Sequence, residues 1–268
     1  MIEICLVGAC GRMGKRITAA IADTQDVRLV GAVEAAGHAE IGRDAGEAAG
    51  VKPAGVPVST DLNLAARKAA VLIDFSLPGS ILHTAPFCAG KGIALVTGVT
   101  GVPEDGQAAL REASRKVPVV FAPNMSVGVN LMFRVAAEVA RVLGDDYDVE
   151  IIETHHRFKR DAPSGTARRL AEVIAQSLGR DLDQVACYGR RGITGERDRR
   201  EIAVHALRSG DVVGEHTVVF GGLGERLEIT HKAHSRDTFA RGAVVAARFA
   251  AGAPAGLYDM QDVLGLKK

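Results

Sequence analysis

The sequence predicts an α/β protein of two domains, a doubly wound parallel sheet followed by a mixed α+β domain. Two observations lead to this fold class. Strand and helix patterns alternate from the start of the chain to residue 121, which is typical of a parallel sheet with helices on its faces. Beyond residue 126, a long helix pattern precedes strand patterns separated by glycine-rich turns, which indicates a mixed or mostly antiparallel sheet.

The start of the chain has the pattern of a dinucleotide-binding motif. A predicted strand, Ile2–Val7, leads into a glycine-rich turn over residues 8–14 and then into a helical pattern. The turn reads GxxGxxG, because Cys10 takes the second glycine position of GxGxxG. A second strand, 28–33, ends at Glu34, where an acid is expected to bind ribose hydroxyls. Together these features predict a Rossmann-like domain that binds NAD(H) or NADP(H); the alternative is an α/β domain without a ligand.

Further strand ends are expected beside the same cofactor. Strand patterns occupy residues 71–75, 93–97 and 117–121. Ligands of open parallel sheets bind beyond the carboxyl ends of the strands. We therefore expect residues 75–76, 98–100 and 122–125 near the nicotinamide, although each segment alone is also compatible with an ordinary turn.

The second domain is predicted to begin with a helix over residues 129–143. Its strand patterns lie at 149–152, 201–208, 216–220 and 227–230, and turn signals at 209–211 and 221–224 predict two hairpins. The charged, glycine-rich segment 189–200 is expected to be a solvated loop, with a subunit contact or a closing lid as the alternatives. One face of the sheet needs a cover, and a second copy of the chain would supply it.

The segment 153–167, with the sequence ETHHRFKRDAPSGTA, carries the strongest chemical signal. His155 and His156 are neighbours, so on extended backbone they point to opposite faces and cannot easily share one metal ion. A histidine titrates near neutrality and suits proton transfer, while Lys159 can donate a proton or hold an anion. The segment therefore predicts acid–base chemistry.

A helix pattern follows this segment. The backbone N–H groups of Gly165 and Thr166 would lie at its positive end, which suits a carboxylate or a phosphate. The alternative for the whole segment is a solvated basic turn before a helix.

Composition excludes several classes of function. The chain carries 33 Lys and Arg against 32 Asp and Glu, so its net charge of +1 favours neither nucleic acid nor an anionic membrane. It has no tryptophan and only 4% aromatic residues, which argues against a base-stacking surface. Its four cysteines form no CxxC pair and are expected to be reduced thiols. With no leader-like or membrane-spanning segment in the sequence, we expect a cytoplasmic protein.

The motifs closely resemble those of the 4-hydroxy-tetrahydrodipicolinate reductase family, over essentially the whole chain. The matching segments are 8–14, 96–101, 121–130, 153–167, 214–217 and 225–233. The resemblance implies NADH- or NADPH-dependent reduction of (2S,4S)-4-hydroxy-2,3,4,5-tetrahydrodipicolinate to tetrahydrodipicolinate and water, in diaminopimelate and lysine biosynthesis. It also implies a cyclic dicarboxylate as substrate and a homotetramer formed through the second domain. The expected domains are 1–126, to which a C-terminal segment 239–268 returns, and 127–238.

The resemblance also implies roles for individual residues. His155 matches a proton donor and acceptor, Lys159 a proton donor, and His156, Gly165 and Thr166 match substrate contacts. The implied cofactor contacts are Gly8, Ala9, Cys10, Gly11, Arg12, Met13, Glu34, Gly98, Val99, Thr100, Ala122, Pro123, Asn124 and Met125, and no metal is implied.

Three departures from the family pattern accompany these matches. Ala35 stands where many relatives carry an arginine for the 2′-phosphate, so we expect NADH to compete well with NADPH unless His38 or Arg12 compensates. Met125 and His234 replace a frequent Phe and a frequent Ser and leave the proton-transfer groups intact. The alternative functions are an NAD(H)-binding sensor and another reductase of amino-acid metabolism.

Overall fold

The computed structural model describes residues 1–267 and forms two compact units, one of residues 1–127 with the segment from Arg236 onward, the other of residues 128–235. In chain order the strands are β1 (Ile2–Val7), β2 (Val27–Val33), β3 (Val58–Ser59), β4 (Val71–Asp74), β5 (Ala94–Thr97), β6 (Pro118–Phe121), β7 (Asp148–His155), β8 (Ala186–Cys187), β9 (Ile202–Arg208), β10 (Gly214–Gly221), β11 (Arg226–Ala233) and β12 (Gly256–Tyr258). The helices are α1 (Arg12–Ala22), α2 (Ala45–Ala48), α3 (Leu62–Ala65), α4 (Ile81–Lys91), α5 (Glu104–Ala113), α6 (Val127–Leu143), α7 (Gly165–Ser177), α8 (Leu182–Val185), α9 (Asp237–Ala250) and α10 (Met260–Val263).

The first unit contains a parallel sheet in the order β12-β6-β5-β4-β1-β2-β3. The order reverses between β1 and β4, the switch point at which doubly wound sheets bind their ligands. The central strands are apolar on both faces, because helices cover both. Ile4 of β1 packs in a core that includes α1 and α9, while its neighbour Cys5 packs in a core that includes α4 and α5. The predicted doubly wound fold is confirmed.

The second unit contains a mixed sheet in the order β11-β10-β7-β9-β8. Strand β10 runs antiparallel to both of its neighbours, whereas β7, β9 and β8 are parallel to one another. Helices α6 and α7 pack on one face, where Phe133 and Leu170 join Ile151 and Phe220 in a common core. Alternation along β7 places Glu153 and His155 on the same side as this core and Glu150 on the other.

One of the two predicted hairpins is wrong. The turn at 221–224 does join the antiparallel pair β10 and β11, but residues 209–213 join β9 to β10 across β7, which lies between them. The backbone N–H of Ser209 donates to the carbonyl of His155 (2.8 Å), and that of Arg157 donates to the carbonyl of Gly210 (3.1 Å). The turn therefore crosses the end of β7 instead of closing a two-stranded ladder.

The loop over residues 189–200 is attached to the sheet by arginine side chains. Arg190 and Arg197 both donate to Oε1 of Glu150, at 2.8 and 2.9 Å, and His205 contacts Oε2 of the same carboxylate at 2.6 Å. Arg197 also donates to Asp148 (2.8 Å). The segment has no regular secondary structure, but its course over the sheet is fixed at these two arginines.

This cluster predicts a pH-dependent contribution to stability. Burial opposes ionisation of Glu150, but hydrogen bonds from Arg190, His205 and Arg197 outweigh it and lower its pKa from 4.5 to about 2. A lowered folded-state pKa stabilises the protein above pH 4.5, and the effect is lost as the pH falls towards 2. Glu150→Gln is expected to lower the free energy of unfolding at pH 7 by on the order of 2 kcal/mol. Denaturant unfolding at pH 7 and at pH 2.5 measures the difference, which should fall to about a quarter at the lower pH, because pH 2.5 still lies above the folded-state pKa.

The control for this measurement is Glu228→Gln, which removes an exposed pair with Arg226. Exposed pairs contribute roughly 0 to 1 kcal/mol, so a small effect is expected. Equal losses in the two variants, or a Glu150 effect as large at pH 2.5 as at pH 7, would contradict the assignment.

Among residues 1–267, no helix combines the length and the apolar character that crossing a bilayer requires.

Candidate active site

The turn between β1 and α1 is the candidate dinucleotide-binding element of the first unit. Gly8 has a φ of 76°, a left-handed conformation that favours glycine, and its N–H donates to the carbonyl of Val33 (2.9 Å). A Cβ atom on Gly14 would lie 2.0 Å from the carbonyl oxygen of Gly8, so only glycine lets the helix approach the turn this closely. Gly11 precedes α1 and offers no side-chain cap to its first N–H groups. This backbone fits the pyrophosphate of a dinucleotide.

Glu34 faces this turn from the end of β2. Its carboxylate accepts hydrogen bonds from the N–H groups of Cys10 and Ala35, both at 2.9 Å. Burial, together with the nearby carboxylates of Glu34 and Glu40, raises the pKa of Cys10, which keeps this residue a neutral thiol. Glu34 is therefore held where the ribose hydroxyls of a bound dinucleotide are expected.

The cations near the ribose position are already engaged. Lys15 lies 3.8 Å from Glu40, and Arg43 contacts the same carboxylate at 2.6 Å. The Nδ1 atom of His38 accepts the N–H of Glu40 (3.2 Å), so this ring nitrogen faces the protein backbone. A 2′-phosphate here would meet two carboxylates, Glu34 and Glu40, together with cations that Glu40 partly neutralises.

Arg12, also predicted to contact the cofactor, lines a basic hollow of the first unit. The hollow has a volume of about 650 Å³ and lies along α1 and the start of α9; its other cationic residues are Lys15, Arg16, Arg236 and Arg241. Its charge makes the surroundings of Arg12 favourable for a polyphosphate.

The two remaining cofactor segments follow adjacent parallel strands at the same edge of the sheet. The N–H of Gly98 donates to the carbonyl of Asp74 (3.3 Å), and that of Ala122 donates to the carbonyl of Thr97 (3.1 Å). Residues 98–100 and 122–125 therefore lie at the carboxyl ends of β5 and β6, as the glycine turn does at that of β1. The side chain of Met125 is 1% exposed and packs in the core, so it can contact a cofactor only through its backbone.

Sequence reasoning missed Asp74, which organises the loop after β4. Its fully buried carboxylate accepts hydrogen bonds from the hydroxyls of Ser76 (2.6 Å), Ser80 (2.7 Å) and Thr84 (2.9 Å). These three hydroxyl residues are four positions apart, a signal that was readable in the sequence. Asp74 fixes Ser76 against Gly8, since a Cβ on Gly8 would lie 3.0 Å from that of Ser76.

In the second unit, the predicted acid–base residue His155 ends β7. Its Nδ1 atom lies 2.5 Å from Oε2 of Glu153, and its ring meets that of His216 edge-on, with centroids 5.1 Å apart. Burial lowers the pKa of His155, and the neighbouring Glu153 carboxylate only partly offsets that effect. His155 is therefore neutral at pH 7 and able to accept a proton.

Glu153 was part of the recognised motif but received no role from the sequence. Its side chain is fully buried and accepts hydrogen bonds from Arg208 (3.0 and 3.1 Å) and from the backbone N–H of Ser164 (3.0 Å). Burial opposes its ionisation, but the hydrogen bonds from Arg208 and His155 prevail and lower its pKa. A buried carboxylate is thus kept charged directly beside His155.

Lys159 lies in the turn that follows β7. Its Nζ atom contacts both carboxylate oxygens of Asp161 at 2.9 Å, and its side chain is 20% exposed. It is close enough to His155 to lower the pKa of the imidazole. His156 is half-buried against Phe158, with ring centroids 6.3 Å apart. The structure therefore brings Lys159 and His155 into electrostatic contact within one unit.

The start of α7 is the last candidate element of the second unit. Ser164 caps the helix by accepting the N–H of Ala167 (3.2 Å) through its hydroxyl, which also contacts Nε2 of His216 (3.1 Å). Gly165 and Thr166 follow as the first two residues of the helix, and Gly165 is exposed. The positive end of α7 thus faces outward beside the motif, where a carboxylate can bind.

These features define the class of protein: an NAD(P)-dependent oxidoreductase, with a doubly wound dinucleotide-binding domain and a second domain that carries acid–base residues. The chain belongs to the dihydrodipicolinate reductase family. The family profiles described as dihydrodipicolinate reductase, N-terminus and C-terminus, match residues 2–125 and 128–264. Among residues 1–267, no group of three or more His, Cys, Asp or Glu side chains could hold a metal ion.

Curated relatives match over the whole chain. A protein named 4-hydroxy-tetrahydrodipicolinate reductase from Anaeromyxobacter sp. (strain Fw109-5) is 55% identical over 267 residues, which cover 100% of this chain and 99% of the relative. The protein of the same name from Hahella chejuensis is 54% identical over 267 residues, which cover 100% of both chains. The relative from Citrifermentans bemidjiense is 52% identical with full coverage of both chains.

Solved structures agree with the fold. The dihydrodipicolinate reductase from Paenisporosarcina sp. TG-14, solved with dipicolinate bound, has a TM-score of 0.76 at 25% identity and covers 97% of each chain. The diaminopimelate dehydrogenase of C. glutamicum shares the fold at 16% identity, with a TM-score of 0.58 over 100% of this chain and 96% of that one.

Proposed function

We propose that this chain reduces (2S,4S)-4-hydroxy-2,3,4,5-tetrahydrodipicolinate to tetrahydrodipicolinate and water with NADH or NADPH, in diaminopimelate and lysine biosynthesis. The observation that supports the proposal best is the buried Glu153–His155 pair, in which Glu153 also accepts the N–H of Ser164 at the N-terminus of α7. The names of the full-length relatives supply the substrate, a cyclic dicarboxylate.

His155 transfers the proton at ring carbon C5, next to the imine carbon, in this proposal. As a neutral base, its imidazole takes a proton from C5, which lets the C4 hydroxyl leave and gives a conjugated imine. Nicotinamide, when bound, supplies the hydride that reduces C4. Electron density then arrives at C5 and at the ring nitrogen, and His155 returns its proton to C5. The neutral state that burial gives this histidine suits the first step.

Lys159 supplies the second proton. Its ammonium group protonates the leaving hydroxyl, so water departs instead of hydroxide, and solvent restores the lysine proton. One hydride and one proton are consumed for each water released. His156 and the N–H groups of Gly165 and Thr166 hold the substrate carboxylates, because the helix dipole and the cationic segment favour negative charge.

We further infer that the chain works as a homotetramer in the cytoplasm. The face of the second sheet opposite its helices carries apolar side chains, including Ile152 (37% exposed) and Leu207 (47% exposed). A second copy packed on this face would cover them. All four cysteines are free thiols, which accords with a reducing compartment. Light scattering on the purified protein measures the mass, and a monomer at micromolar concentration would refute the assembly.

The loss of absorbance at 340 nm tests the activity, with substrate generated from pyruvate and aspartate semialdehyde by the upstream synthase. Synthase-dependent oxidation of NADH or NADPH is expected, and reactions without synthase or without pyruvate are the controls. No oxidation by a protein that still binds both cofactors would refute the proposed reaction. That result would favour the sensor or a different substrate.

A further inference from the structure

We propose that Glu153 is the positioning residue of this site: its carboxylate fixes the Nδ1–H tautomer of His155 and simultaneously holds Ser164, the N-cap residue before the proposed substrate-binding residues Gly165 and Thr166. The proposal deepens the proposed function and depends on it for its catalytic consequence. The tautomer of His155 that it predicts can be tested without enzymatic turnover.

Each oxygen of the Glu153 carboxylate has a separate partner in the site. Oε2 lies 2.5 Å from Nδ1 of His155, and Oε1 accepts the N–H of Ser164 at 3.0 Å. An ionised carboxylate can only accept, so Nδ1 of His155 must carry the proton. Ser164 is the N-cap of α7, so the same carboxylate ties the end of β7 to the start of that helix.

The charge of Glu153 is secured by Arg208 on the neighbouring strand β9. Two guanidinium nitrogens donate to the two carboxylate oxygens, at 3.0 and 3.1 Å, and one of them also donates to the carbonyl of Asp161 (2.6 Å). A bidentate pair of this kind fixes orientation as well as charge. Since the carboxylate is fully buried, it cannot rotate away into solvent.

The surroundings leave Nε2 of His155 as the reacting atom. Gly214, on β10, has no side chain, and a Cβ there would lie 3.1 Å from Nε2 of His155. The ring of His216, on the same strand, packs edge-on against His155 instead of bonding to it. With the proton fixed on Nδ1, the Nε2 lone pair can accept the C5 proton, and Glu153 stabilises the imidazolium that forms.

The titration of His155 depends on burial and on three charged neighbours in the structure. Glu153 on its own strand favours the charged imidazole, whereas Arg208 on β9 and Lys159 in the following turn oppose it, as burial does. His216 on β10 contacts the ring but is itself held neutral, because burial lowers its pKa to about 3. Removal of the Glu153 charge should therefore move the acidic limb of the kcat/KM profile to lower pH.

The first test is the tautomer of His155 in the wild-type protein, read from long-range ¹H–¹⁵N NMR spectra at pH 7.5. The signals of the His155 ring are assigned as those that are present in the wild-type spectrum and missing from the His155→Ala spectrum. A proton on Nδ1 and a bare Nε2 are expected. A proton on Nε2 would overturn the proposal, whether or not the chain turns over the substrate. The expected tautomer without any synthase-dependent oxidation would support the proposal and refute only the proposed reaction.

The second test is Glu153→Gln, which keeps the shape but replaces one acceptor oxygen by a donor, so it cannot satisfy both His155 and Ser164. We expect kcat to fall roughly tenfold or more, with NADH affinity unchanged and the acidic limb at lower pH. Glu153→Asp retains the charge and should keep the limb near its wild-type position. An unmoved limb together with an unchanged tautomer in Glu153→Gln would overturn the proposal.

The matched control is Glu150→Gln. Glu150 lies on the same strand and contacts a histidine, His205, at 2.6 Å, but on the opposite face of the sheet. This variant is expected to keep the wild-type kcat and pH profile at pH values where it is folded. A shift of the same size in both variants would show a general effect of lost charge and would overturn the specific role of Glu153.

Discussion

Replacement of His155 by alanine is expected to lower kcat by roughly 10²-fold or more while NADH binding stays intact. His155 is buried on Glu153 and is the only histidine of the motif held in this way among the residues described. Its loss removes the group that takes and returns the C5 proton. Single-turnover oxidation of NADH measures the chemical step, and titration of NADH fluorescence measures binding.

Lys159→Ala should give a loss of similar size, because the leaving hydroxyl then departs without its proton. Two variants serve as controls. His83→Ala removes an exposed histidine of α4, and Arg160→Ala removes an exposed cation beside Lys159. Near-wild-type turnover in His155→Ala or Lys159→Ala would exclude that residue from catalysis. A large loss in either control would indicate a general effect on folding or charge.

Ala35→Arg is expected to change the ratio of kcat/KM for NADPH to that for NADH by roughly 10²-fold in favour of NADPH. Ala35 is exposed directly after Glu34, and the nearby Lys15 and Arg43 are paired with Glu40. A new guanidinium would supply charge-assisted hydrogen bonds to a 2′-phosphate, worth about 1.5 to 3 kcal/mol. Initial rates with both cofactors at one ionic strength measure the ratio.

Ala36→Arg is the matched control, since it adds the same charge one exposed position further along the chain. We expect it to change the ratio by less than about threefold, the size of a screened surface interaction. Equal effects of the two substitutions would mean that overall charge, rather than position 35, sets cofactor preference. No effect of Ala35→Arg would remove this residue as a determinant.

Periodicity predicted the first unit well because buried parallel strands and amphipathic helices leave distinct patterns. The strands β1, β4, β5 and β6 and the acid at Glu34 were all readable in this way. The short strands β3 and β12, which have two and three residues, were not predicted because so few residues cannot establish a period. Tertiary pairing at the sheet edges determines them.

The second sheet shows where local reasoning fails. A Ser-Gly-Asp turn between two strand patterns is a fair hairpin signal, but strand order depends on contacts distant in sequence. Here β7 pairs with both β9 and β10 and separates them; the paired residues are 53 positions apart for β9 and 61 to 73 apart for β10. The same strand pairing brings Arg208 beside Glu153, so the support of His155 could not be read from the motif alone.

The discontinuous construction of the first unit has a consequence for synthesis on the ribosome. Residues 128–235 form a continuous unit with its own core and can fold as soon as they emerge. The first sheet cannot, because Ala243 and Ala247 of α9 complete its core and β12 pairs with β6 at its edge. The dinucleotide-binding domain, although residues 1–127 are made first, is therefore completed only after the second unit, and its apolar strands stay uncovered on that face until α9 and β12 have been made.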